Sequence, residues 1–187
     1  MKVLLAAGGT AGHINPAIAI AKQFAEKEHA EIQFIGTKRG METELVTREG
    51  FPISYIEVAG FKRKLTPENF KIAWQAFRGV RQAGKIIREF RPDLVVGCGG
   101  YVSGPAVFCA HLQNIPTLIH EQNVIPGLTT KILSKFVDKV AISFEDTNQY
   151  IAKKKTVLTG NPIRETIVKV AAAEQKAHEH PSVLVVG

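Results

Sequence analysis

His13 stands at the end of a run of small residues, Ala7-Gly8-Gly9-Thr10-Ala11-Gly12, that closes an apolar stretch and opens a helical pattern. An imidazole titrates near neutrality and can take up or release a proton. A glycine turn leading into a helix offers unpaired N–H groups and the positive end of a helix dipole to an anion. Pro16 fits a first-turn position of that helix, and Gly8, Gly9 and Gly12 are expected to supply positive φ and close backbone approach. The stretch from Leu4 to Phe24 therefore holds a dinucleotide, a phosphate, or a substrate that needs a histidine beside it. The dinucleotide pattern G-x-G-x-x-G is met only in degenerate form. The next apolar strand ends in Gly36-Thr37-Lys38-Arg39, with no acid for a ribose. NAD is disfavoured on that ground, and Lys38 and Arg39 leave NADP a thin case. A phosphate-binding P-loop fails too, because no Lys-Ser/Thr pair follows the glycines.

Two more apolar runs end in the same manner, in "GCGGYVSGP" from Gly97 to Pro105 and "HEQNVIPG" from His120 to Gly127. One histidine in a tight turn is most often just a hydrogen-bonded turn residue. Three such ends, with His, Glu, Asn, Tyr and Ser among the glycines, argue instead for a binding crevice.

The elements that position these residues alternate. Short β-rich runs ("KVLLAA", "AEIQFIG", "PISYIEV", "DLVVGCG", "PTLIHE", "KVAISF", "KTVLTG") are separated by amphipathic stretches at Asn15–Lys27, Pro67–Phe90, Gly104–Gln113 and Gly127–Phe136. Continuous apolar strands between helices predict a parallel sheet covered on both faces, a doubly wound, Rossmann-like α/β fold. In that fold the carboxyl ends of the first and fourth strands flank the crevice where strand order reverses. The Gly8–Gly12 and Gly97–Gly100 loops should face each other there, near Glu121 and Asn123. Near the end, "RETIVKVAAAEQKAHEHP" reads as a helix entering a polar linker, and "SVLVVG" as the first strand of a second domain. The expected division is a domain over 1–164, a linker helix over 165–181 and a new strand at 182–187.

The 187 residues have ordinary apolar content, enough for a true core. Cys98 and Cys109 are too few for a disulfide framework, which suggests a reducing compartment. The opening "MKVLLAAGG" has too short an apolar run for a leader and reads as a strand. No run approaches the ~18 apolar residues of a membrane span. The net charge of +7 is local: residues 61–91 hold nine basic and two acidic side chains, the whole excess of the chain. Such a patch implies an anionic surface as partner.

That patch lies on "TPENFKIAWQAFRGVRQAGKIIREF", with Thr66 as the expected N-cap and Pro67 at the first helical position. On a helical wheel Ile72, Ala76, Val80, Ala83, Ile87 and Phe90 form the core face. Phe70, Trp74 and Phe77 fall off it, beside Lys71, Arg78 and Arg81. Aromatic side chains among cations suit a helix resting on anionic headgroups. Nucleic acid is the rival anion, and no recognition motif supports it.

In this order, "GGTAGHINPAIAIA", "GCGGYVSGP", "HEQNVIPG" and "GNPIR" closely resemble the N-terminal half of the bacterial MurG family, from Met1 to about Arg164. The resemblance implies a two-domain GT-B architecture. It further implies transfer of N-acetylglucosamine from UDP-GlcNAc to the C4 hydroxyl of an undecaprenyl-pyrophosphoryl-muramoyl-pentapeptide, lipid I. The first domain would receive the lipid acceptor and the second most of the UDP-sugar, so this chain by itself should be inactive. By the same resemblance Thr10, Ala11, Gly12, Asn123 and Arg164 would contact the donor. Gly9, Gly99, Gly100, Tyr101 and Ser103 would lie on the acceptor side. His13 would be the general base, with Glu121 second. One departure is visible: the turn reads Thr-Ala-Gly-His, where the commoner form has a second glycine.

No cofactor or metal is implied as obligatory, there is no Asp-x-Asp pair, and His178 and His180 fall in the polar linker. The implied setting is peripheral, on the cytoplasmic face of the bacterial cell membrane, with cell-wall synthesis proteins as candidate partners. Two alternatives stay open at this point. One is a glycosyltransferase half for another lipid acceptor such as diacylglycerol. The other is a noncatalytic membrane-docking subunit of a split transferase.

Overall fold

The computed structural model describes residues 1–58 and 68–163, the side chains at 68–73, 75 and 76 excepted. Seven strands form one sheet: β1 (Lys2–Ala7), β2 (Glu31–Gly36), β3 (Ile53–Tyr55), β4 (Leu94–Gly99), β5 (Thr117–Glu121), β6 (Lys139–Ile142) and β7 (Thr156–Leu158). Their order is β3-β2-β1-β4-β5-β6-β7, and every pair is parallel. All seven β-rich runs of the sequence thus become strands of the expected doubly wound sheet.

Among the described residues five α-helices connect the first six strands, α1 (Ala11–Lys27), α2 (Glu42–Arg48), α3 (Glu68–Phe90), α4 (Ser103–Leu112) and α5 (Leu128–Leu133), and two short 3-10 turns lead from β6 to β7. Side chains alternate across a strand, so β1 serves both layers. Val3, Leu5 and Ala7 pack with Ile32, Phe34 and Val96 against Ile14, Ala17, Ile18 and Ala21 of α1 and Val46 of α2. Leu4 and Ala6 pack on the opposite face with Val95, Ile119 and Val140, beneath Ala83 and Ile87 of α3, Ala106 and Ala110 of α4, and Leu133 of α5. The chain winds outward from β1 to β3, crosses the sheet through α3 and winds the other way from β4. The crossing makes β1 and β4 neighbours, and their carboxyl ends open a crevice between diverging loops.

Three local expectations change. Pro16 is not in the first turn: α1 starts at Ala11, which puts Pro16 inside the helix. Proline there has no N–H to give the carbonyl four residues back, that of Gly12. The glycine turn is shorter than the sequence suggested, because Thr10 is already the extended N-cap. Gly12 therefore sits in the helix and, like Gly8, falls outside the positive-φ set that holds Gly9, Gly99 and Gly100. Ala11 occupies the first helical position, which suits alanine. Helix α2 was not foreseen, and β3 covers only the middle of its apolar run. Thr66, Pro67, Arg164, the expected linker at 165–181 and the strand at 182–187 lie outside the described residues.

Phe34 is fully buried, and its ring lies 5.6 Å from that of Phe51, whereas Phe77 is 52% exposed. Urea unfolding of Phe34→Ala should show a loss of about 3–5 kcal/mol. Phe77→Ala should stay within about 0.5 kcal/mol of the parent.

Candidate active site

The loops after β1, β4 and β5 meet at the crevice. Gly100 has φ +76°, and a Cβ on it would overlap the carbonyl of Gly8. Gly99 has φ +110°, and a Cβ there would overlap the His13 ring. Both positions need glycine for two reasons at once, a left-handed backbone and a close neighbour. The expectation that the two glycine loops face each other is met by direct backbone contact.

His13 is half-buried near the start of α1, and its Nδ1 lies 3.2 Å from Gln122 Oε1. Gln122 was not among the residues expected from the sequence. Its Nε2 donates to the carbonyl of Cys98 at 2.9 Å and lies 3.0 Å from His120 Nδ1. His120 is 2% exposed, and its Nε2 lies 3.1 Å from the carbonyl of Gly160. Burial pushes the His120 imidazole below its ordinary range, against the opposing pull of the Gly160 carbonyl and of Glu121. The Cys98 thiol, sealed in the sheet, is pushed up to about 12 by burial; it stays protonated and inert.

A second unforeseen residue holds the first turn. Glu42 of α2 is fully buried. One carboxylate oxygen accepts from the Thr37 N–H and hydroxyl, each at 2.7 Å, and the other accepts from Gly9 N–H at 3.2 Å. Hydrogen bonds to the carboxylate offset the cost of burying it. Glu42 belongs to no recognisable motif, and Gln122, though inside "HEQN", carries no local sign of its role. The faint signal for Glu42 was a glutamate opening a short pattern after Gly36-Thr37.

The expected site residues divide accordingly. Gly9, Thr10 and Gly12 are exposed and Ala11 half-exposed at the mouth of α1, whose first turn has no acid and no side-chain cap. Tyr101, 58% exposed, stands on the β4 loop, and Asn123 is exposed on the β5 loop. Two candidates are not on the crevice surface. Ser103 is 1% exposed, and its hydroxyl is shared among Gly99 N–H at 3.0 Å and the carbonyls of Ala6 and Gly99, each at 2.8 Å. It ties the end of β1 to the end of β4, and burial keeps its hydroxyl away from the crevice surface. Glu121, 2% exposed, receives the Asn123 N–H and side-chain amide at 3.0 and 2.9 Å on one oxygen, and Gly127 N–H at 3.2 Å on the other. A carboxylate so engaged shapes the loop that presents Asn123; it is not placed to act as a base. On α3, Trp74 is 62% exposed and its ring lies 5.9 Å from that of Phe77. Arg81 is exposed, while Arg78 lies 3.3 Å from Glu57 in a surface pair. The side chains of Phe70 and Lys71 lie outside the described set.

Residues 3–142 match the model of the glycosyltransferase family 28 N-terminal domain. The chain belongs to this family. A relative from Caldanaerobacter subterraneus subsp. tengcongensis is 54% identical over 176 residues, covering 93% of this chain and 48% of the relative. It is named UDP-N-acetylglucosamine–N-acetylmuramyl-(pentapeptide) pyrophosphoryl-undecaprenol N-acetylglucosamine transferase. The crystal structure of Acinetobacter baumannii MurG superposes with a TM-score of 0.73 at 32% identity, over 87% of this chain and 46% of that one. The resemblance of the sequence to MurG is thus matched by relatives and by fold. A UDP-GlcNAc 2-epimerase from Neisseria meningitidis, 15% identical with a TM-score of 0.66 over 92% of this chain and 51% of its own, shares the fold alone. The family 28 chain described here spans about half the length of the curated relatives it matches.

The buried, neutral His120 makes stability depend on pH. An unfolded His120 takes up a proton near 6.5, and the folded one resists it. Its contribution is therefore complete above that pH and is lost as pH falls toward the folded value, by at most about 1.4 kcal/mol per pH unit. Urea midpoints measured from about pH 7.5 to 5 should decline less steeply for His120→Gln than for the parent.

Proposed function

We propose that this chain is the acceptor half of a transferase that moves N-acetylglucosamine from UDP-GlcNAc to the C4 hydroxyl of a membrane-anchored muramoyl acceptor, lipid I. The observation that carries this reading is the convergence of three strand-end loops on His13, with Gly99 against its ring and Gln122 on its Nδ1. The names of the relatives add the chemical identity of the substrates.

In this reading His13 takes the proton from the acceptor hydroxyl as that oxygen attacks the anomeric carbon, and UDP departs with inversion. The charge that develops on the diphosphate meets the open N-terminus of α1, where Thr10, Ala11 and Gly12 lie. Asn123 is held toward the donor by Glu121, and Arg164 would add a cation. Gly9, Gly99, Gly100 and Tyr101 line the acceptor side. The donor sugar nucleotide is held chiefly by a second domain beyond residues 1–164, so the 187-residue chain should bind acceptor and not turn over. No resident cofactor enters the scheme.

The decisive assay joins residues 1–164 to the C-terminal half of the Caldanaerobacter relative and follows transfer of labelled GlcNAc to lipid I. The chimera should be active and the 187-residue chain inactive. His13→Ala in the chimera should lower kcat by about 10²–10⁴-fold, the usual worth of a general base. Turnover near the parent level in that variant would remove His13 from the base role.

The acceptor's polyprenol keeps the reaction at a bilayer, and we assign the α3 surface to that contact: Trp74 and Phe77 insert at headgroup level beside Arg78 and Arg81, and Phe70 and Lys71, named from the sequence for the same contact, have side chains outside the described set. Among the described residues no helix is long and apolar enough to cross a membrane, so contact would be peripheral, on the face where the nucleotide sugar is available. Binding to phosphatidylglycerol-rich vesicles should weaken with salt and fall sharply in Trp74→Ser/Phe77→Ser. Unchanged binding of that variant would exclude the two aromatics from the contact.

A further inference from the structure

We propose that Gln122 is a positioning residue that fixes His13 as its Nδ1–H tautomer and leaves Nε2 as the one ring atom able to accept a proton. The proposal deepens the base role given to His13 above and rests on that reading for its catalytic meaning, although the tautomer itself is a property of the chain alone.

The argument is one of donors and acceptors. A backbone carbonyl only accepts. The Cys98 carbonyl lies 2.9 Å from one end of the Gln122 amide, so that end must be the NH₂ group. The opposite orientation would set two acceptor oxygens against each other in a half-buried loop. With the amide fixed, its oxygen faces His13 Nδ1 at 3.2 Å. An amide oxygen cannot donate, so the neutral His13 ring must carry its hydrogen on Nδ1. The unshared pair is then on Nε2.

His120 completes the assignment. The second hydrogen of the Gln122 NH₂ points to His120 Nδ1 at 3.0 Å, which must accept, and His120 Nε2–H is then free to donate to the Gly160 carbonyl at 3.1 Å. Burial keeps His120 neutral, the state in which its Nδ1 can accept. Each polar atom in the series has one role, from the Gly160 carbonyl through His120 and Gln122 to His13. The arrangement also suits both charge states of His13. When Nε2 takes a proton, Nδ1–H still donates to the same amide oxygen, so no partner has to rearrange. An acid in place of Gln122 would supply an acceptor too, but it would add a charge against the Cys98 carbonyl.

The test is long-range ¹H–¹⁵N NMR of the histidine rings in the ¹⁵N-labelled 187-residue chain, at a pH where His13 is neutral. His13 should show a pyrrole-type Nδ1 and a pyridine-type Nε2. Gln122→Met keeps the side-chain length and removes the acceptor, and in it His13 should shift toward the Nε2–H form. Gln122→Glu returns an acceptor oxygen and should restore Nδ1–H. A His13 ring protonated on Nε2 in the parent chain overturns the proposal even if neither variant folds. An unchanged tautomer in a folded Gln122→Met does so as well. The base role fails separately, by turnover of the His13→Ala chimera, so the two failures are told apart.

Discussion

The backbone of Gly100 rests against the carbonyl of Gly8 with no room for a methyl group between them. Everything at the crevice depends on that contact. It exists because the winding direction of the sheet reverses between β1 and β4, which makes neighbours of two strands that are far apart in sequence. Parallel strands release their chains at the same edge, so the loops after β1 and β4 must share a small space. Ser103 closes the junction from below by bonding to both strand ends. Only then does the His13 ring find the flat backbone of Gly99 beneath it and Gln122 beside it.

Much of this order was legible in the sequence, for definite reasons. Strands buried on both faces are written as unbroken apolar runs, and "DLVVGCG" and "KVLLAA" can hardly be anything else between helices. The three polar, glycine-bearing strand ends marked the crevice, and His13 lies within it, against Gly99 and Gln122. The parts that were misread depend on tertiary partners. Pro16 looked like a helix opener, because nothing local says that α1 has already begun at Ala11. Ser103 and Glu121 have the right types for contact with a ligand; burial turns their polar atoms toward the protein. Gln122 sits in full view inside "HEQN", yet its role depends on Cys98, 24 residues away. No periodicity encodes that.

The two faces of the sheet serve different neighbours. The layer of α1 and α2 frames the mouth of the glycine turn. The layer of α3 and α4 turns its inner side to the sheet and leaves Trp74, Phe77 and Leu112 outside. Residues 61–91 concentrate the positive charge on the segment containing α3. The crevice loops and the charged aromatic surface are thus built on separate elements, joined by the β4 strand that follows α3 directly.

Glu42 has a consequence for how this chain can vary. Its side chain occupies space that side chains at Gly8, Gly36 and Gly40 would need, three positions on three different segments. None of the three can gain a Cβ without displacing it, and Glu42 cannot shorten without stranding the N–H groups of Gly9 and Thr37. A substitution at any of the three glycines is therefore coupled to the placement of Glu42, and at Gly36 to that of Ile53 as well. The glycine turn is thus held at Gly8 and Gly9 by a residue 33 positions downstream of Gly9, on a seven-residue helix.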